Sequence, residues 1–145
     1  MIVSILFIGE EQSPTAKKMG WEWGSNHLCS KTLMEALDTC EDFDKSNANF
    51  INLFKDGELN REVLHFIREW KSPCVAMGQK VQKALNKEGV HPWEMIHPAA
   101  RGKIRAKENY AAHVRGVISQ VMFDCEMTIL AMNSEDPPMG YGEWM

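Results

Sequence analysis

The stretch ANFINLFKDGELNREVLHFIREWKSPCVAMG, residues 48–78, decides the fold. Its first part, Ala48 to Phe54, is a short apolar run that stops at Lys55-Asp56-Gly57, which predicts a buried strand. Leu59, Val63, Phe66, Ile67 and Trp70 then recur at steps of three and four, giving a helix with one apolar face to lay on a sheet. Pro73 to Met77 is a second compact apolar run, closed by Gly78. Strand, helix and strand at this spacing predict parallel pairing, because a helical crossover returns the chain to the same edge of the sheet.

The same rhythm extends both ways. Upstream, IVSILFI (residues 2–8) is a strand stopped by Gly9, and residues 27–41 regain helical spacing through Leu28, Leu33, Ala36 and Leu37, with Ser25 or Asn26 as cap. Between them, residues 10–26 carry Pro14, Gly20, Gly24, Trp21 and Trp23 and are expected to be a loop, with more aromatic surface than a mere connection needs. Downstream come a short helix over Gln79 to Lys87, a weaker fourth strand over Pro92 to Ile96, and a long helix from about Ala106 to Thr128. The expected fold class is α/β: a three-layer α/β/α sandwich with a central four-stranded parallel sheet. One domain is expected over residues 1–131, with 132–145, rich in Pro and Gly, as a flexible or peripherally docked tail.

Composition narrows the function classes. A net charge of -4 over 145 residues argues against a broadly cationic surface that coats nucleic acid, so any such contact must be local. Cys29, Cys40, Cys74 and Cys125 form no CxxC pair and no zinc-like grouping, so they are expected to be reduced and mostly buried, with no metal and no cofactor. The opening MIVSILFIGEE has no basic segment or small-residue cleavage site and is far shorter than a membrane span of about 20 residues. A cytoplasmic monomer without membrane contact is the expectation.

In a parallel α/β sheet the working residues gather beyond the carboxyl ends of the strands. Four such ends carry polar signals: Gly9-Glu10-Glu11-Gln12-Ser13, Asn52-Leu53-Phe54-Lys55, Gly78-Gln79 and His97-Pro98. Glu10, just past a buried strand, suits the orientation or deprotonation of water, although GEEQSP also reads as a solvated turn. Asn52 offers a donor and an acceptor together inside an apolar strand, as reading a nucleobase edge requires, or else it satisfies neighbouring backbone. Trp21 and Trp23 could stack a flat ring or fill the core. His97 could donate a hydrogen bond to a developing anion. Arg101, Lys103 and Arg105, at every second position just beyond it, suit phosphates met by one side of an extended or irregular segment.

Taken in order, ILFIGEEQSP, FINLFK, CVAMGQKVQKAL and MIHPAARGKIR resemble the uracil-DNA glycosylase superfamily, nearest to its iron-sulfur branch, over residues 2 to about 115. The chain departs from that branch in having Glu11-Gln12-Ser13 after Glu10 and in lacking the cluster cysteines. The resemblance implies a metal-independent hydrolase that removes uracil or a related modified base from DNA. Glu10 and His97 would be catalytic, and Glu11, Gln12, Trp21, Trp23 and Asn52 would meet the base, Trp23 ahead of Trp21 as the stacking ring. Ser13, Gly78, Gln79, Arg101, Lys103 and Arg105 would hold phosphates. The altered segment after Glu10, the acidic net charge and the short chain leave two alternatives open. One is a binding module for a nucleotide, nucleic acid or protein, and the other is an N-glycosidase on free nucleotides.

Overall fold

Ile5–Gly9 (β1) is buried at every position, and its side chains sort by parity onto two cores. Ile5 and Phe7 belong to one apolar cluster with Leu33, Leu37, Val114 and Ile118, while Leu6 and Ile8 belong to another with Leu64, Ile67, Val81 and Leu85. A strand alternates its side chains between faces, so a strand covered on both sides must be apolar throughout. The computed structural model describes residues 3–132; the tail expected over 132–145 lies outside them except for Met132.

Ala48–Asn52 (β2), β1, Cys74–Met77 (β5) and Trp93–Met95 (β6) form one four-stranded sheet in the order β2-β1-β5-β6, parallel at every pairing. Leu28–Asp38 (α2) and Lys107–Met132 (α5) pack on the Phe7 face, and Arg61–Glu69 (α3) and Gln79–Lys87 (α4) pack on the Ile8 face. The three-layer α/β/α arrangement expected from the sequence is therefore present. The strands β1 and β5 are neighbours, yet the helices that follow them lie on opposite faces. A crevice opens between diverging connections of this kind.

Two elements differ from the sequence reading. The loop expected over residues 10–26 contains a helix, Pro14–Met19 (α1). Its ends are well marked: the Ser13 hydroxyl accepts from the Ala16 N–H, proline opens the first turn, and Gly20 closes it at φ 73. Ala16 is its single buried residue, so the helix has no apolar stripe to read. The strand expected to run to Phe54 stops at Asn52, and Phe54–Lys55 (β3) turns back on Glu58–Leu59 (β4) as a two-stranded hairpin. Asp56 and Gly57 take φ 53 and 80, the positive values that a tight hairpin turn requires and that Asp-Gly supplies.

Smaller boundary shifts follow from end effects: β6 spans three residues rather than five, and α5 continues to Met132. The segment 101–105, expected to be extended or irregular, includes a 3-10 turn at Lys103–Arg105. The four cysteines are free and only partly buried, less enclosed than expected. Among the described residues no helix is long and apolar enough to cross a membrane.

Candidate functional site

The pairing of β1 with β2 puts Gly9 opposite Asn52, and that register builds the centre of the site. Trp23, from the loop before α2, donates its indole N–H to Asn52 Oδ1 at 2.8 Å. The contact passes directly over Gly9, where an added Cβ would lie 2.8 Å from Asn52 Oδ1 and 3.0 Å from the Trp23 ring. Only glycine leaves that room. Phe50 stacks on Trp23 with ring centres 5.8 Å apart, and Phe7 stacks on Phe50 at 5.6 Å, so the indole is anchored to the core.

His97 reaches the same place from the end of β6. Its backbone position is inherited from α5, because Ile96 is gripped on both sides of its peptide: the Tyr110 hydroxyl donates to the Ile96 carbonyl at 2.9 Å, and His113 Nε2 accepts the Ile96 N–H at 3.0 Å. Gly78, at φ 95, lets the end of β5 approach, since a Cβ there would lie 3.3 Å from His97 Cβ. The imidazole edge meets Trp23 with centres 6.3 Å apart. His97 Nδ1 accepts the Ala99 N–H at 3.0 Å, so the neutral ring carries its proton on Nε2. Burial pushes the His97 pKa down, with the Glu10 carboxylate opposing in part, which keeps the ring neutral at neutral pH. Among the described residues no protein group engages Nε2.

Trp23, Asn52 and His97, with Gln12, Trp21 and Ser25, line a pocket of about 160 Å³. A cavity near 150 Å³ is large enough for one six-membered ring. The Gln12 amide N–H donates to the Trp21 carbonyl, and the Trp21 ring lies flat on His27 at 4.2 Å. Ser25 also lines this pocket, and its Oγ, closed off from solvent, is the one buried side-chain polar atom among the described residues with no hydrogen-bond partner. A wider groove of about 550 Å³ shares Ser13, Leu28, Cys29 and Ala99 with the pocket wall and runs to Arg105.

Several sequence-predicted residues take other parts. Glu11 lines the pocket, but its carboxylate accepts from the Asp56 and Gly57 N–H groups at 3.0 and 2.9 Å and pairs with Lys17 at 2.6 Å, tying α1 to the hairpin turn. The Lys17 ammonium, then the Gly57 and Asp56 N–H groups, hold its pKa down at about 2. Since the folded pKa lies below the ordinary 4.5, Glu11 contributes stability above pH 4.5 that disappears as the pH falls towards 2. Urea unfolding measured across that window should show a shallower acid loss for Glu11→Gln than for the parent. Glu10 is outside the pocket lining, 46 % exposed and 3.7 Å from Lys80, whose ammonium also lies over the Phe54 ring. Ser13 caps α1 and Gln79 is the exposed first residue of α4. Arg101, Lys103 and Arg105 are exposed beyond His97, and among them Arg105 reaches the groove.

No protein family, curated protein or solved structure matches this chain. The chemistry of the site therefore rests on its own atoms. Among the described residues no three His, Cys, Asp or Glu side chains gather as a metal site would need. The sequence did not mark Gly9, Ser25, Tyr110 or His113 for the parts they take here. Tyr110 and His113 share a helix face three residues apart, the spacing at which two side chains reach the same neighbouring segment.

Proposed function

We propose that the pocket receives a nucleobase and that the protein hydrolyses the N-glycosidic bond of uracil or a related modified base in DNA, on a uracil-DNA glycosylase-like scaffold. The observation that carries this reading is the convergence of Trp23, Asn52 and a neutral His97, from three separate segments, on one ring-sized pocket at the carboxyl ends of the strands. Breaking the bond leaves positive charge on the sugar and negative charge on the base. His97 Nε2–H donates to the base as that charge grows, and a preorganised donor of this kind stabilises the transition state more than the ground state. Glu10, outside the pocket lining at the end of β1, is the carboxylate this reading assigns to the sugar and the attacking water. The shared groove leads the strand towards Arg105, with Arg101 and Lys103 further along.

Incubating the protein with uracil-containing single-stranded and duplex oligonucleotides, followed by alkali, should give strand scission at the uracil. Absence of scission with uracil, hydroxymethyluracil, hypoxanthine and deaminated mismatches removes the hydrolase reading. Lys103→Glu with Arg105→Glu should weaken oligonucleotide binding and reduce its salt dependence, by about one unit of slope for each phosphate no longer neutralised. Unchanged salt dependence points instead to free nucleotides as substrate.

A binding module is the second reading, and the position of Glu10 favours it: Glu10 lies outside the pocket lining with Lys80 beside it, and the Glu11 carboxylate is engaged by the Asp56 and Gly57 N–H groups and Lys17. In that case uracil or a nucleotide raises the melting temperature without being turned over.

A further inference from the structure

β6 is an edge strand, so one side of its backbone has no neighbour in the sheet. Successive residues of a strand turn their N–H and C=O groups to opposite sides. Met95 turns towards β5, where its carbonyl accepts from the Gly78 N–H at 2.9 Å, and Ile96 just beyond it turns both of its groups to the open edge. There α5 supplies what a fifth strand would supply: the Tyr110 hydroxyl as donor to the Ile96 carbonyl, and His113 Nε2 as acceptor of the Ile96 N–H. Further along, His97 Nδ1 accepts the Ala99 N–H. Two imidazoles thus fasten the segment from Ile96 to Ala99, each as the acceptor of a backbone N–H. A backbone N–H can only donate, so the two neutral rings are fixed in opposite senses, with the proton on Nδ1 in His113 and on Nε2 in His97.

We infer that His113 is a positioning residue for the site, and that its uptake of a proton releases the segment that carries His97. An imidazolium has no acceptor nitrogen, so a protonated His113 turns a donor towards the Ile96 N–H and the contact is lost. The groups that face His113 are the Tyr110 ring on its own helix, with centres 6.2 Å apart, then Glu94 from β6, His97, and the neutral amides of Gln79 and Gln82 from α4. Burial pushes the His113 pKa below its ordinary 6.5, so the ring is neutral at neutral pH. Because the folded value is the lower one, the stability gained from this contact is present above pH 6.5 and is lost as the pH falls through the folded value. His97 faces Glu10 and, across the pocket, Glu11, Glu22 and His27; its pKa is also lowered by burial, so it gives up the Ala99 N–H on the acid side as well. The Tyr110 phenol, raised by burial, stays protonated throughout and keeps the Ile96 carbonyl. Acid therefore loosens the segment without detaching it. This holds whatever the pocket receives, since only the protein's own groups take part.

NMR of the isotope-labelled chain, titrated from about pH 8 to about pH 5 without any substrate, tests this. Neutral His113 should show the Nδ1–H form and neutral His97 the Nε2–H form, and the Ile96 amide resonance should move with the His113 midpoint. His113→Gln offers an acceptor that does not titrate, so protection of the Ile96 amide from hydrogen exchange should match the parent at neutral pH and persist into acid. His113→Leu offers none: protection should fall by about three- to tenfold at neutral pH. The His97 midpoint should then climb towards 6.5 as its ring gains water, whereas His113→Gln should leave it in place. A side chain that merely fills space would not separate glutamine from leucine in this way. Neutral His113 in the Nε2–H form overturns the inference, as does a His97 midpoint unmoved by His113→Leu or an Ile96 amide that ignores the His113 titration. The ring spectra and the amide titration need only the parent, so they decide even where a variant does not fold.

Discussion

Replacing His97 with alanine is expected to slow uracil release from oligonucleotides by about 10²–10³-fold under single-turnover conditions, with little change in oligonucleotide affinity. The reason is the direction of its proton. Nδ1 is occupied by the Ala99 N–H, so Nε2–H is the donor available to a leaving base, and it acts in a partly buried setting where a hydrogen bond to an anion gains strength. The Ala99 N–H that loses its acceptor belongs to an exposed residue and can turn to water, so the variant should stay folded. A fall in affinity matching the fall in rate would mean that His97 binds the ground state as well and supplies no selective stabilisation.

Phe7→Ala is expected to cost about 3–5 kcal/mol of folding stability, read from guanidinium unfolding with the parent alongside. Phe7 sits at the middle of β1 with no solvent exposure, enclosed by α2 and α5, and a cavity left there cannot be filled from the surface. The usual stability of a domain is only about 5–15 kcal/mol, so a substantial unfolded fraction at physiological temperature follows. The effect reaches the site because Phe7 supports Phe50, and Phe50 supports Trp23. Phe7→Leu should remain folded and still slow scission of uracil-containing oligonucleotides. A loss of stability below about 1 kcal/mol for Phe7→Ala would mean that the surrounding side chains collapse into the space.

The layered sheet was legible because it depends on periodicity. Residues 48–78 switch from an apolar run to three-and-four spacing and back, and long amphipathic helices leave few other ways to cover a strand on both faces. The hairpin at Asp56-Gly57 and the helix α1 escaped that signal because each is too short to have a period. Their marks were chemical instead: Asp-Gly for the turn, and Ser13, Pro14 and Gly20 for the helix ends. Strand-end logic did bring Asn52, His97, Gln12 and both tryptophans to one pocket. What it could not supply was the partner of each polar atom. Trp23 and Asn52 are 29 positions apart and meet only because β2 pairs with β1 in one particular register. Glu11 likewise finds the Asp56 and Gly57 N–H groups 45 and 46 positions away, which converts an apparent site carboxylate into a clasp.

The grip of Tyr110 and His113 on Ile96 also dates the site within the life of the chain. A polypeptide leaves the ribosome amino end first, so Trp23 and Asn52 emerge well before α5. Until residue 113 has been made and the helix has docked, the segment bearing His97 lacks the two hydrogen bonds that hold it at the pocket. A nascent chain cut short before Tyr110 would therefore carry Trp23 and Asn52 without the hydrogen bonds that hold the His97 segment beside them.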